Sequence, residues 1–411
     1  MTPEGFAARM AGFGPPPGLV AVAVSGGPHS LALALLARRW GAARLLALVA
    51  EHGLRAESAA EAAHVQAMLQ GQGIETQVLP LGLSGGAAMQ ERARSARLAA
   101  LLSACGRAGA PWLLLGHHRM DQAETLLLRA GRGVGEAGLA GMPALRAMAE
   151  ALILRPLLDT SPAALEAVCA QAGLSPVRDP SNDNPGFARI RARQALADPG
   201  GDGPRVAALA RATQGFARRR AAAEAEMLPR MAAAVTLLPL GAALIDRAAL
   251  GQDGVAEAVL ARLLRAVGGA AHAPAHADVQ RLLAAGGGTL GGAWWRGDGW
   301  LLREPALVAP PIPARAGALW DGRFHLSRDW PGCVLGALGA GPGADSGLPA
   351  ALRAGLPALW RDGALIAAPH IGQCNPLSCL EFRPVGGAIG AVFTSNTEKG
   401  HSPGGNPTYV M

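Results

Sequence analysis

Lysine is almost missing from this chain: Lys399 is the single one among 37 basic residues. The net charge of +7 and the isoelectric point near 10.0 are therefore carried by arginine. Long apolar runs are missing as well. Hydrophobic residues make up 50% of the sequence, but Arg, Gly or Pro interrupts them every few positions, and none reaches the ~20 residues that cross a bilayer as a helix. The opening MTPEGFAARMAGFGPPPGL lacks a basic flank, an apolar stretch and a small-residue cleavage site, so the expectation is a soluble, cytoplasmic protein with no membrane partner. Paired cysteines are absent too. Cys105, Cys169, Cys333, Cys374 and Cys379 are odd in number and scattered, which argues against a disulfide framework. His370 with Cys374 and Cys379 falls short of the four donors of a structural zinc site.

What is present is a basic balance. Neutralising phosphates releases condensed counterions, so such a chain suits a polyanionic partner, although charge alone leaves tRNA, DNA and an anionic membrane surface open. At 411 residues two or three domains are expected. From Leu19 to about Leu196 short apolar runs alternate with amphipathic stretches, the pattern of an α/β domain around a doubly wound, mostly parallel sheet. Candidate strands are Leu19 to Val24, Arg44 to Ala50, Ile74 to Leu81 and Trp112 to Gly116, and ligands are sought at their carboxyl ends. Asp198 to Pro204 holds three Gly and two Pro and reads as a linker. The division expected is a catalytic domain over 1–197, a helical domain over 205–285, a small β-rich region over 286–393 and a flexible tail over 394–411. Within the β-rich region, LGGAWWRGDGWLLREP reads as two strands around a Gly-Asp-Gly turn.

The most informative segment is Ser25-Gly26-Gly27-Pro28-His29-Ser30, which stops the first apolar run and opens an amphipathic helix. Adjacent glycines let the backbone turn tightly and approach a ligand, while the Ser25 and Ser30 hydroxyls and the helix N-terminal amides point at one anion. Pro28 suits the first helical turn. A pyrophosphate is the natural occupant. The spacing is neither that of a dinucleotide-binding loop nor that of an ordinary P-loop, since there is no third spaced Gly and no Lys. A structural turn ahead of a helix is the bland alternative.

The loop resembles the SGGxDS loop of the N-type ATP pyrophosphatases, with their adenine-nucleotide α-hydrolase-like fold. Further segments are similar to those of the tRNA(Ile)-lysidine synthetases. These are Glu51-His52-Gly53-Leu54-Arg55, the helical Gln90 to Arg97, Leu114 to Thr125 (LLGHHRMDQAET), Arg155-Pro156-Leu157-Leu158, Asp179-Pro180-Ser181-Asn182, and Phe187 to Arg193. The resemblance covers roughly residues 18–196 and weakens beyond. It implies that ATP, with Mg2+, adenylates the C2 oxygen of the wobble cytidine of a CAU-anticodon tRNA(Ile). Free L-lysine then attacks C2 and expels AMP, with no DNA partner.

The resemblance also sets expectations for individual residues. Ser25 to Ser30 would bind ATP, with Glu51, His52 and Gly53 on its adenine side. Asp121 follows the fourth strand and is the candidate magnesium carboxylate, a hard cation wanting oxygen ligands there; complementing a helix dipole is its bland role. Glu124, one helical turn on, would orient Asp121 or the lysine amine. His117 or His118 would contact phosphate or RNA, a neutral imidazole also being able to take a proton from the amine. Arg94, Arg97, Arg189, Arg191 and Arg193 would grip phosphates or the adenylate. Three positions depart from the family: His29 stands where it places Asp, Met120 where many relatives carry an acid, and Leu98 where they carry Tyr. An active enzyme with His29 as a phosphate ligand or supporting group is expected. The alternatives are a catalytically impaired tRNA-binding relative, amide ligation on a small molecule, and tRNA thiolation, which generally uses cysteines near the site.

Overall fold

Apolar runs buried on both faces need helices on both sides, and the chain supplies them by alternating strand and helix. In the computed structural model, residues 1–51, 53, 58–82, 89–177, 186, 188–343, 346–372 and 379–385 are described. The order is α1 (Pro3–Ala11), β1 (Leu19–Val24), α2 (Pro28–Trp40), β2 (Arg44–Glu51), α3 (Ser58–Gly71), β3 (Glu75–Pro80), α4 (Met89–Ala108), β4 (Trp112–Leu114), α5 (Arg119–Ala130), α6 (Glu136–Leu139), β5 (Leu145–Ala147), β6 (Leu152–Leu154), α7 (Pro162–Gln171), α8 (Ala188–Leu196) and α9 (Pro204–Ala234). β1 to β6 form one sheet of order β3-β2-β1-β4-β6-β5, parallel except for the antiparallel edge strand β5. This is the expected doubly wound α/β architecture. The four strands foreseen from apolar runs are β1 to β4, whereas Arg146 and Arg155 interrupt the runs around β5 and β6.

Alternation along β1 sorts its side chains between the two layers. Val20, Val22 and Val24 face a core shared with Phe6 and Met10 of α1, Leu31 to Ala37 of α2, Val65 and Leu69 of α3, and Leu165 and Val168 of α7. Ala21 faces the opposite core, with Leu101, Leu102 and Cys105 of α4. The chain lays β2 and β3 on one side of β1 and then returns to place β4 on the other. The carboxyl ends of β1 and β4 therefore flank the switch point, where open α/β sheets take their ligands.

Two units are distinguished, Met1–Ala221 and Ala222–Met411. The second continues with β7 (Val235–Leu238), β8 (Ala242–Ile245), α10 (Arg247–Leu250), α11 (Gly254–Val267), α12 (His276–Ala285), β9 (Gly288–Leu290), β10 (Ala293–Trp295), β11 (Trp300–Arg303), β12 (Ile312–Pro313), β13 (Leu319–Trp320), β14 (Phe324–Leu326), β15 (Val334–Ala337), α13 (Ala350–Ala354), β16 (Pro357–Arg361), β17 (Ala364–Ala367) and β18 (Leu380–Phe382). The segment 205–285, read from sequence as a helical domain, is divided between the units. It also contributes β7 and β8 to the five-stranded sheet β7-β8-β11-β10-β9. Helical Ala and Leu periodicity hid these strands, whose Val235, Ala243 and Ile245 share a core with Val259, Leu263 and Leu264 of α11. The hairpin foreseen around Gly-Asp-Gly is β10 and β11, with Trp295 opposite Leu301.

The Gly/Pro stretch at 198–204 is a turn whose Gly201 and Gly203 amides donate to the Asp198 carboxylate at 3.0 and 2.7 Å. α9 begins at the end of this turn, at Pro204. Among the described residues no helix is long and apolar enough to cross a membrane. The tail over 394–411 lies outside the described residues, as do His52, Leu54, Arg55, Asp179 to Asn182, Phe187 and Cys374.

Candidate active site at the switch point

The segment after β1 is shaped by two glycines with different duties. Gly26 has φ +83, and a Cβ there would lie 2.6 Å from Cγ2 of the buried Val65. Its carbonyl accepts from the Val177 amide at 2.9 Å. Gly27 caps α2 at φ −71 with no side-chain cap, and a Cβ there would meet nothing nearer than Ser25 Oγ at 3.7 Å. Gly26→Ala is therefore expected to cost about 1–3 kcal/mol in chemical denaturation, from backbone strain and the clash. Gly27→Ala should stay within about 1 kcal/mol. Equal costs at both positions would contradict the geometry.

Hydroxyls tie the loop together. The Ser25 amide donates to Ser30 Oγ at 3.1 Å, the Ser30 hydroxyl donates to the Gly27 carbonyl at 2.9 Å, and the two hydroxyl oxygens lie 3.2 Å apart. With Pro28 at the first helical position and no capping side chain, the amides of the first turn of α2 are left to meet an anion. From α7, the Cys169 thiol donates to the Pro28 carbonyl at 3.1 Å. Burial pushes the thiols of Cys169 and Cys105 up to about 11, so neither is a nucleophile at neutral pH.

The segment after β4 closes on this loop because Gly116 has no side chain; a Cβ would stand 3.1 Å from the His29 carbonyl oxygen. His118 then meets His29 edge to face at 4.1 Å between ring centroids. The His118 amide donates to Asp121 Oδ2 at 2.9 Å, capping α5, and its Nε2 lies 3.5 Å from the same oxygen. The Asp121 side chain is 13% exposed. Burial raises its carboxyl, but the His118 and His117 imidazoles, the His118 amide and Arg189 more than offset this and hold it below the usual carboxylate value. It is an ionised, sheltered carboxylate beside the phosphate loop.

His117 accepts on Nδ1 from Arg155 Nε at 3.3 Å. Burial, with Arg155 and Arg189 adding and Asp121 opposing, lowers it to about 4. A neutral ring that accepts on Nδ1 carries its proton on Nε2. His117 thus presents a donor, and this tautomer does not fit the expected uptake of a proton from an amine.

His29 is also lowered to about 4, by burial first and then by His118 and Arg193, with Asp121 opposing. Its Nε2 lies 4.0 Å from Glu166 Oε1, which for a neutral ring is not an ion pair. For both rings the ordinary value is 6.5. Between pH 6.5 and about 4 the unfolded chain binds protons that the folded chain does not, so stability falls as pH falls through this window and is flat above pH 7. Glu124, held above the usual value by burial, runs in the opposite sense and blunts the effect. The net expectation is a loss of about 2 kcal/mol between pH 7 and 5, read as a fall of roughly 4–8 °C in thermal midpoint; an unchanged midpoint would contradict the neutral pair.

The arginines divide by helix face. Arg193 Nε donates to Glu124 Oε1 at 2.7 Å, Arg189 Nε lies 3.9 Å from Oε2, and Arg189 also donates to Thr125 Oγ1 at 3.3 Å. Glu124 is fully buried and so anchors α8 against α5. Arg191, on the other face, donates to the Gly186 carbonyl at 2.9 Å. Arg94 feels Arg189 and Asp121, and Arg97 feels Arg94, with burial lowering both; α4 thus brings positive charge to the same region. Glu51, at the end of β2, accepts from the Gly53 amide at 2.5 Å and closes its own turn.

Met120 is 1% exposed and packs with Ala123, Leu196 and Val206. Position 120 serves the core here, which accounts for an apolar residue there. Two members of the site escaped sequence reading. Arg155 was recognised only as part of a segment, and Glu166 sits on α7 with no local signal of its neighbourhood.

A family model described as the PP-loop domain matches residues 11–199. The tRNA(Ile)-lysidine synthase of Novosphingobium aromaticivorans is 48% identical over 185 residues, a match spanning 44% of this chain and only 57% of that protein. The enzyme of the same name from Ruegeria pomeroyi is 34% identical over 384 residues, covering 88% of this chain and 90% of the relative. That from Methylobacterium nodulans is 38% identical over 322 residues, covering 73% and 92%.

Proposed function

This chain belongs to the tRNA(Ile)-lysidine synthase family, and we propose that it is a cytoplasmic, ATP-dependent ligase joining L-lysine to C2 of the wobble cytidine of a CAU-anticodon tRNA(Ile). One observation carries the reading. A phosphate loop without acidic residues and a sheltered, ionised Asp121 lie at the carboxyl ends of the two strands that flank the switch point.

In the first step the cytidine O2 attacks the α-phosphorus of ATP and the bond to the leaving diphosphate breaks. The amides of the first turn of α2 and the Ser25 hydroxyl would receive the negative charge that develops on that diphosphate, while Ser30, whose proton goes to the Gly27 carbonyl, would hold the loop in shape. In the second step the lysine ε-amine adds at C2 and loses a proton to water, and the C2–O bond breaks to release AMP. The donor set fits the phosphates of ATP, since the first turn of α2 carries no capping side chain and the loop carries no acid. Asp121, with phosphate oxygens and water, would hold a magnesium ion, which supplies neutralisation of phosphate charge. The proton on Nε2 makes His117 a hydrogen-bond donor to phosphate or nucleotide oxygens. Glu124 fixes Arg189 and Arg193 on α8, and Arg94 joins them from α4 to bind the polyanion.

The test is incubation of the purified protein with ATP, labelled lysine and CAU-anticodon tRNA, followed by digestion to nucleosides. AMP, diphosphate and a lysine-bearing cytidine in equal amounts are expected. Diphosphate release without lysine incorporation would redirect the assignment to another acceptor. No turnover beside a working His29→Asp variant would identify an impaired relative. Thiolation is disfavoured by the buried, high-pKa thiols of Cys105 and Cys169.

A further inference from the structure

Ser25 to Ser30 contains amides, hydroxyls and one imidazole, and no carboxylate. Among the described residues no group of three or more His, Cys, Asp or Glu is placed to hold a metal ion. Asp121 is the one acid that caps α5 beside the loop.

Two imidazoles occupy the centre of this arrangement with unmet hydrogen-bonding capacity. Among the described residues, His29, in the first turn of α2, has a buried Nε2 with no hydrogen-bond partner, and His118, whose side chain is 4% exposed, has a buried Nδ1 with none. The rings touch edge to face, so each restricts the other. Glu166 Oε1, at 4.0 Å from His29 Nε2, is too far for a hydrogen bond. Buried polar atoms without partners are rare in native proteins, and a bound ligand is one way their needs are met. The charges facing His29 are mixed: Asp121 and Glu166 are acidic, and Arg193 is basic.

We propose that His29 is a direct hydrogen-bond partner of the ATP phosphates, held by His118 and bordered by Glu166, and that it lets the loop hold the nucleotide without a divalent cation. This rests on the phosphate-loop reading above and refines it. A carboxylate in the loop would repel the phosphates and require a cation between them; donors alone attract phosphates directly. Asp121 then makes the cation necessary for bond cleavage rather than for nucleotide capture.

The experiment is equilibrium binding of labelled ATP to the full chain in EDTA and in magnesium, alongside diphosphate release. For the unmodified protein the two dissociation constants are expected to agree within about 3-fold, with diphosphate release appearing only in magnesium. His29→Ala should weaken ATP binding about 10-fold or more in both buffers, the range for a hydrogen bond to a charged group. His29→Asp should weaken binding about 10-fold or more in EDTA and recover it in magnesium, and this also guards against reading misfolding of the alanine variant as loss of a ligand.

Binding by the unmodified chain that collapses in EDTA would overturn the proposal while leaving the phosphate-loop assignment standing. So would His29→Ala binding ATP as tightly as the unmodified chain. Absence of ATP binding in both buffers would overturn the assignment and the proposal together.

Discussion

Asp121→Asn is expected to reduce diphosphate release by about 100- to 1000-fold, the range for removing one preorganised electrostatic group at a reacting centre. The fold should survive. The Asn oxygen can still accept from the His118 amide, which the Asp121 carboxylate now does at 2.9 Å, so the α5 cap persists and stability should change by about 1 kcal/mol or less. What disappears is the negative charge, and with it the hold on a cation that neutralises the departing diphosphate. Measurement of diphosphate release with saturating magnesium and tRNA, beside a thermal melt, separates the two consequences. Activity within a few-fold of the unmodified chain would mean that Asp121 is only a helix cap.

Asp321→Ala is expected to have the largest effect on stability, a loss of about 3–5 kcal/mol in the second unit. Asp321 is 1% exposed at its side chain and faces two buried guanidiniums. Arg303 donates to its carboxylate at 2.9 and 2.8 Å, Arg323 Nε at 2.8 Å and the Ala309 amide at 3.0 Å. Burial raises the Asp321 carboxyl, yet these donors more than offset it and hold it below the usual value, so the network is intact at neutral pH and is lost as pH falls through that lowered value. Burial in turn lowers Arg323 to about 10 while Asp321 pushes it back up. Removing the carboxylate would strand two cations away from water. Asp298→Ala removes the solvent-accessible pair with Arg296 at 2.7 Å and a long contact from the Trp300 amide at 3.4 Å and should cost about 1 kcal/mol or less. Urea denaturation of both variants checks the contrast, and equal costs would show that the buried network contributes no more than a surface pair.

Much of the candidate site was readable from contiguous residues. A β-branched run, two glycines, a proline and an amphipathic stretch state locally that a strand ends, the backbone turns and a helix begins with its amides exposed. Asp121 was locatable in the same way, as the acid following the fourth strand. The short strands β5 and β6 were not, although β4 is just as short: β4 sits in the apolar run Trp112 to Leu115, whereas Arg146 and Arg155 interrupt the runs around β5 and β6. Nor were β7 and β8, whose Ala and Leu content fits a helix equally well until α11 packs on them.

Side-chain roles separated along the same line. Sequence alone placed the strand, glycine turn and helix over β1 and α2, the positions of β1 to β4 and the family, because each is encoded by short-range backbone chemistry and by spacing. Only the tertiary structure decided that Glu124 anchors Arg189 and Arg193, that Arg155 sets the His117 tautomer, that Met120 belongs to the core and that His29 rests on His118 near Glu166. These outcomes depend on burial and on contacts between residues tens of positions apart, and neither is written in the local order of the chain.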